Sequence, residues 1–124
     1  MNAIVPTLRI GDYQAAVGFY VEGLGFEIDF EWRHEPGFPV FMQVSRDDMR
    51  LYLTQHAGDC VAPGLVYLYV PDVDVWQAEL LTRGVIAEDP PRDQPWGNRE
   101  LALTDPSGNR LRICSVLPAH ERSG

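Results

Sequence analysis

Residues 7–54 and residues 67–114 nearly repeat each other at an offset of 60 positions. Arg50-Leu51-Tyr52-Leu53 falls on Arg110-Leu111-Arg112-Ile113, and Phe41-Met42-Gln43-Val44 falls on Leu101-Ala102-Leu103-Thr104, with apolar positions matching better than polar ones. Asp12 falls on Asp72, and each begins a helix-like stretch that a glycine ends, at Gly25 and Gly84, with one residue of difference in length. Self-similarity at a fixed period constrains architecture more tightly than local propensity, since every copy must build the same unit. The expectation is two similar modules of about 50 to 60 residues, each too small to bury a good core alone.

The elements follow from periodicity. Residues 4–10 read as a short strand, and Gly11-Asp12 as a turn with an N-cap. Ala16, Val17, Phe19, Tyr20 and Leu24 recur at three and four residues, which predicts one buried helical stripe over 13–24, stopped by Gly23 and Gly25. Phe26, Ile28, Phe30 and Trp32 alternate with Glu27, Asp29, Glu31 and Arg33, a strand with one wet face. Pro36-Gly37 breaks it, and strands over 38–44 and 49–55 follow, joined by a tight turn at Asp47-Asp48. Module one (about 4–56) is thus strand, helix and three strands. After a linker at 57–64, module two (about 65–116) repeats the order: a strand over 65–70, then a helix opened by Asp72 with the stripe Val73, Trp76, Leu80 and Leu81. A weak strand over 85–88, the irregular run DPPRDQPWG, and strands over 98–104 and 109–116 around the turn Asp105-Pro106-Ser107-Gly108 complete it. Asp105 is expected to accept backbone hydrogen bonds as an Asx-turn residue. The fold class is α+β, paired βαβββ modules in one domain spanning 1–124.

Composition removes several functions. A chain of 124 residues with 45% apolar content is one ordinary globular domain. It has neither an apolar run of about 18 residues nor a basic start before a short apolar block, so no membrane span or secretory signal is expected and the cytoplasm is the default compartment. Ten Arg, no Lys and 18 acidic residues give a formal charge of -8. Such a field disfavours nucleic acid and anionic membranes, attracts cationic small molecules, and also serves plain solubility. Cys60 and Cys114 lack CxxC spacing and read as free thiols.

Alternation assigns two faces to each sheet, because residues two apart share a side. Ile4, Leu8, Ile10, Leu51 and Leu53 pack against the helix of module one, leaving Val5, Thr7, Arg9, Arg50, Tyr52, Thr54 and His56 for a cleft. In module two Val66, Leu68, Val70, Leu101, Leu103, Leu111 and Ile113 pack. That leaves Leu65, Tyr67, Tyr69, Glu100, Ala102, Thr104, Arg110, Arg112 and Cys114. The cleft is aromatic and of mixed charge, with no evident nucleophile and base.

Leu8-Arg9-Ile10-Gly11-Asp12, Phe19-Tyr20, Leu24-Gly25-Phe26, and above all Pro95-Trp96-Gly97-Asn98-Arg99-Glu100 leading to Asp105-Pro106-Ser107-Gly108-Asn109, together resemble the vicinal-oxygen-chelate superfamily of glyoxalases, extradiol dioxygenases and bleomycin- and fosfomycin-resistance proteins. The likeness spans about 4–116 and is nearest the metal-free, bleomycin-resistance-type branch. It implies a half-closed, eight-stranded mixed barrel with a concave cleft, usually in a homodimer. Metal-using relatives place ligands at positions that here hold Val5, Tyr52, Leu65 and Arg112, none suited to a divalent ion, so neither metal nor other cofactor is expected. A site built from His34, His56 and Glu100 lacks ligand spacing, and His34, His56 and His120 read as surface histidines.

The resemblance therefore points to metal-independent binding, with sequestration of an aromatic or cationic small molecule such as a bleomycin-type antibiotic. The alternative is a glyoxalase- or dioxygenase-type enzyme with a non-standard metal or acid–base site, in which Glu100 would be the base. Candidate ligand-binding residues are Trp32, Phe38, Tyr52, Tyr67, Tyr69, Trp96, Glu100 and Arg112, and no catalytic residue is assigned. For Trp32 and Phe38 core packing competes with ligand contact. Glu100 and Arg112 either pair across strands or leave Arg112 to clamp a ligand's carboxylate or phosphate.

Overall fold

The computed structural model describes residues 2–119, so His120 lies outside the described residues. The chain divides into two compact units. The first contains the stretch up to Gly64 together with Asp105–Asn109, and the second contains Leu65–Thr104 and the stretch from Arg110 on.

In the first unit β1 (Thr7–Arg9), β2 (Glu27–Trp32), β3 (Phe41–Arg46) and β4 (Met49–Thr54) form a sheet of order β1-β4-β3-β2. In the second, β5 (Leu65–Tyr69), β6 (Asp89–Asp93), β7 (Asn98–Thr104) and β8 (Arg110–Val116) form a sheet of order β5-β8-β7-β6. The expected duplication therefore extends to topology, and β1 and β5 pair in parallel with β4 and β8 in the same register. Thr7 lies opposite Tyr52 and Tyr67 opposite Arg112, a displacement of 60 on both strands.

The hairpins depart from that displacement. Gln43 lies opposite Tyr52 whereas Ala102 lies opposite Arg112, so β3 maps onto β7 at 59. The second hairpin carries one more residue around its turn, and a slip of one residue exchanges faces. Hence Met42 corresponds to Leu101 and Val44 to Leu103, all buried, and the direct match of residues 41–44 with 101–104 is one position out.

Helix α1 (Tyr13–Val17) runs into a π-helical turn, Gly18–Gly23, while α2 (Val73–Thr82) is regular throughout. The wider winding absorbs the extra residue between Asp12 and Gly25 and leaves Ala16, Tyr20 and Leu24 on one buried line. Each helix opens on an aspartate: Asp12 Oδ1 accepts from Ala15 N at 2.9 Å, and Asp72 Oδ1 from Asp74 N at 2.9 Å. Beyond each helix a glycine takes positive φ, 77° at Gly25 and 79° at Gly84, where a Cβ would be strained. Val73, Trp76 and Leu80 bury the inner line of α2, but Leu81 is 54% exposed, because it lies to one side of that line.

Three other expectations are corrected. Ile4 is 95% exposed and outside β1, whose pairing begins only at Thr7. A bulge at Asp29 breaks the alternation of β2: Ile28 lies opposite buried Val44, while Phe30 and Trp32 lie opposite Gln43 and Phe41 on the other face. The bulged Asp29 accepts from Gln43 Nε2 at 2.8 Å and Ser45 Oγ at 2.9 Å, which hold its carboxyl below the usual range. Finally, β6 is formed by Asp89–Asp93, inside the run expected to be irregular, and residues 85–88 are not a strand. Pro90 and Pro91 are tolerated there because β6 is an edge strand with its own bulge.

The Asp105–Asn109 turn is held by buried polar groups of the first unit. Asp105 is an Asx-turn residue as expected, its Oδ1 accepting from Ser107 N at 2.8 Å and Asn109 N at 2.9 Å. Its Oδ2 accepts from the Tyr20 hydroxyl at 2.6 Å and from Asn109 Nδ2 at 2.9 Å. Asn109 also donates to Arg9 O at 2.7 Å, and its Oδ1 accepts from Gly64 N at 2.7 Å. A Cβ on Gly64 would stand 2.9 Å from Leu8 Cδ2, so only glycine fits without displacement. Burial and the Asp105 carboxylate push the Tyr20 phenol far above its ordinary value.

Candidate functional site

Helix α2 covers one face of the second sheet, with Arg99 bonded to Asp74 at 2.9 Å and Ser115 Oγ accepting from Val73 N at 3.2 Å. Residues one position out of phase with these carry the opposite, open face. Register sets them in two rows across β5, β8, β7 and β6: Tyr67, Arg112, Ala102, Asp89, and beside it Tyr69, Cys114, Glu100, Arg92.

A groove of ≈ 460 Å³ runs over this face, lined by Tyr67, Asp89, Pro90, Arg92, Asp93, Gln94, Trp96, Glu100, Leu101, Ala102 and Arg112. A shallower depression of ≈ 560 Å³ adjoins it over Tyr67, Tyr69, Trp96 and Asn98. Of the side chains singled out in the sequence, Tyr67, Tyr69, Trp96, Glu100 and Arg112 thus come together. Tyr67, Tyr69 and Trp96 are 42%, 56% and 63% exposed, so their rings are wall rather than core.

Glu100 is buried, and Oε2 accepts from Trp96 Nε1 at 2.8 Å and Asn98 Nδ2 at 3.1 Å. Asn98 Nδ2 also lies 2.9 Å from the Tyr69 hydroxyl oxygen and donates to it. This network fixes the Trp96 ring at the groove edge. The Glu100–Arg112 ion pair weighed from the sequence is not formed: Glu100 lies opposite Cys114 and Arg92, and Arg112 opposite Ala102. Arg112 is half-buried and takes no hydrogen bond or ion pair among the described residues. Cys114 is buried and its thiol is pushed up to about 11, first by burial and then by the Glu100 charge.

Trp32, Phe38 and Tyr52 belong to the first unit. Tyr52 packs on Phe41 with ring centres 4.9 Å apart and on Phe30 at 6.5 Å, which makes the open face of that sheet aromatic. Trp32 stands 6.2 Å from His56, and Phe38 stands 6.1 Å from exposed His34 at a depression of ≈ 270 Å³. His56 is half-buried rather than superficial, and its Nε2 is buried with no hydrogen-bond partner. Thr54, assigned to the open face, is fully buried and donates to Asp59 Oδ2 at 2.8 Å.

The sequence reading missed Phe30 and Phe41, whose side depends on the Asp29 bulge, and Asp89, Arg92 and Asn98. Asp89 and Arg92 needed β6 to be recognised, and two consecutive prolines concealed it, while Asn98 stands on the expected strand β7 and enters the site through its bonds to Glu100 and the Tyr69 hydroxyl. Among the described residues no three His, Cys, Asp or Glu side chains gather as a metal site, and Val5, Tyr52, Leu65 and Arg112 do not fit an ion. No helix among them is long and apolar enough to cross a membrane.

A family model described as glyoxalase superfamily protein matches residues 1–119. The bleomycin resistance protein of Geobacillus stearothermophilus is 23% identical over 126 residues, covering 86% of this chain and 91% of that protein. The bleomycin-binding protein of Streptomyces verticillus, solved with copper(II)-bleomycin, is 29% identical with a TM-score of 0.69, covering 100% of this chain and 97% of that one. TnmS3, an antibiotic binding protein from Streptomyces sp. CB03234, is 26% identical with a TM-score of 0.72 over 93% and 97% of the two chains.

Proposed function

This chain belongs to the glyoxalase superfamily, and on that premise we propose that it captures an aromatic small molecule, of the kind bleomycin-type antibiotics represent, and holds it unchanged. The observation that carries this reading is the set of three rings, Tyr67, Tyr69 and Trp96, left in water around one groove. Contiguous apolar surface of this kind marks a place where a ligand or partner sits. Each ring that stacks on a flat guest contributes about 0.5–2 kcal/mol. Sequestration needs only such affinity, and the groove offers walls and charges without a nucleophile activated by a base. The antibiotic-binding relatives support the same reading.

Trp32, Phe38 and Tyr52 supply a further aromatic surface in the first unit. The single-domain organisation, half-closed barrel, homodimer and cytoplasmic location expected from the sequence belong to this proposal. Titrating intrinsic tryptophan fluorescence against a panel of planar drugs tests it: saturable quenching is expected, and weaker binding after Trp96→Phe. Indifference across a chemically broad panel would refute it.

A further inference from the structure

Arg112 has left much of its water without gaining a partner. A half-buried guanidinium loses hydration that an ion pair normally replaces, and its planar fork is already shaped for an oxyanion. Arg92, two residues along from Pro90 on β6, lines the same groove and also takes no ion pair among the described residues. Of the three carboxylates that line the groove with them, two are engaged elsewhere. Asp93 pairs with Arg99 at 3.1 Å, and Glu100 is engaged by the neutral donors of Trp96 and Asn98. Asp89, across Ala102 from Arg112, is exposed and at the edge strand.

From this arrangement we infer that the guest carries an acidic group: a planar aromatic acid whose ring lies against Trp96 and Tyr67 and whose carboxylate or equivalent oxyanion is taken by Arg112, with Arg92 beside it. The inference rests on the aromatic-capture reading and specifies the polar end of the same ligand. It runs against the sign of the chain's overall charge, since the -8 field alone would favour cations. Contact with a free guanidinium outweighs a diffuse field that salt screens within about 8 Å.

Three probes sharing one ring separate the possibilities: pyrenecarboxylate, pyrenecarboxamide and pyrenylmethylammonium, followed by pyrene fluorescence. Pyrenecarboxylate is expected to bind about tenfold or more tightly than the amide, a ratio that shrinks as salt is raised. Arg112→Gln is expected to bring the acid down to the level of the amide while amide binding persists, which also shows that the variant is folded. Arg112→Lys, with charge but no fork, should restore part of the preference. Equal binding of acid and amide, tighter binding of the ammonium, or an acid preference that survives Arg112→Gln overturns the inference and leaves aromatic capture standing. Failure of all three probes to bind overturns both.

Discussion

The two sheets share strand order and the parallel register of β1 on β4 and of β5 on β8, yet their open faces differ in chemistry. Where the first sheet presents Thr7, Tyr52, Gln43 and Phe30 in one row, the second presents Tyr67, Arg112, Ala102 and Asp89. In the next row Arg9, Thr54, Phe41 and Trp32 correspond to Tyr69, Cys114, Glu100 and Arg92. The covered faces, by contrast, agree: Leu8 with Leu68, Met42 with Leu101, Leu51 with Leu111 and Leu53 with Ile113, all buried. Packing density ties each covered position to its neighbours, so a change of one methylene is felt there. An open face has no such constraint and can take a groove of mixed aromatic and charged side chains in one copy and a mainly aromatic surface in the other.

The turns of the two hairpins offer the sharpest break in the comparison. Asp105→Ala strips a buried turn of a carboxylate that accepts from Tyr20, Ser107 and Asn109, and is expected to cost about 3 kcal/mol or more in urea unfolding. Next in size is alkaline destabilisation through Cys114, which stands where the first sheet has Thr54. Its folded pKa of about 11 exceeds the reference 9.0, so below pH 9 the thiol is protonated in both states and contributes no pH dependence. Above pH 9 the unfolded chain ionises first, and stability falls until about pH 11 by on the order of 2 kcal/mol. In Cys114→Ala that slope should flatten, leaving the decline above pH 10 from Tyr20, whose phenol is also raised.

Ligand binding tests the open faces. Trp96→Ala is expected to weaken a planar guest by about tenfold, and Tyr52→Ala by about threefold, since Tyr52 is already packed on Phe41. Equal losses would make the two faces equivalent partners of the ligand. Smallest of all should be Asp48→Ala, in the exposed two-residue turn of the first hairpin, at within about 0.5 kcal/mol.

Much of this was legible in the residues. Periodicity located both helices and most strands, because apolar side chains recur wherever a face is covered, and the repeat carried the succession of elements from one unit to the other. Alternation put Tyr67, Tyr69 and Arg112 on the open face because β5 and β8 pair in unbroken register. It failed at Phe30 and Trp32, where the single extra residue at Asp29 shifts the phase, and at 89–93, where the lack of amide donors in Pro90 and Pro91 hides an edge strand. The unpaired state of Arg112 could not be read either. It depends on the register that sets Arg112 opposite Ala102 and Glu100 opposite Cys114 and Arg92, which spacing along the chain does not give because the second hairpin carries one residue more than the first.

The Asp105–Asn109 turn bears on how the protein matures during synthesis. Tyr20, Arg9 and Gly64 need acceptors and donors that the ribosome supplies only after β5, α2, β6 and β7 have been made. A nascent chain ending at the linker would leave those groups unanswered, so cutting there should not release a self-sufficient amino-terminal fragment. The first copy of the repeat can complete these buried hydrogen bonds only after most of the second has left the exit tunnel.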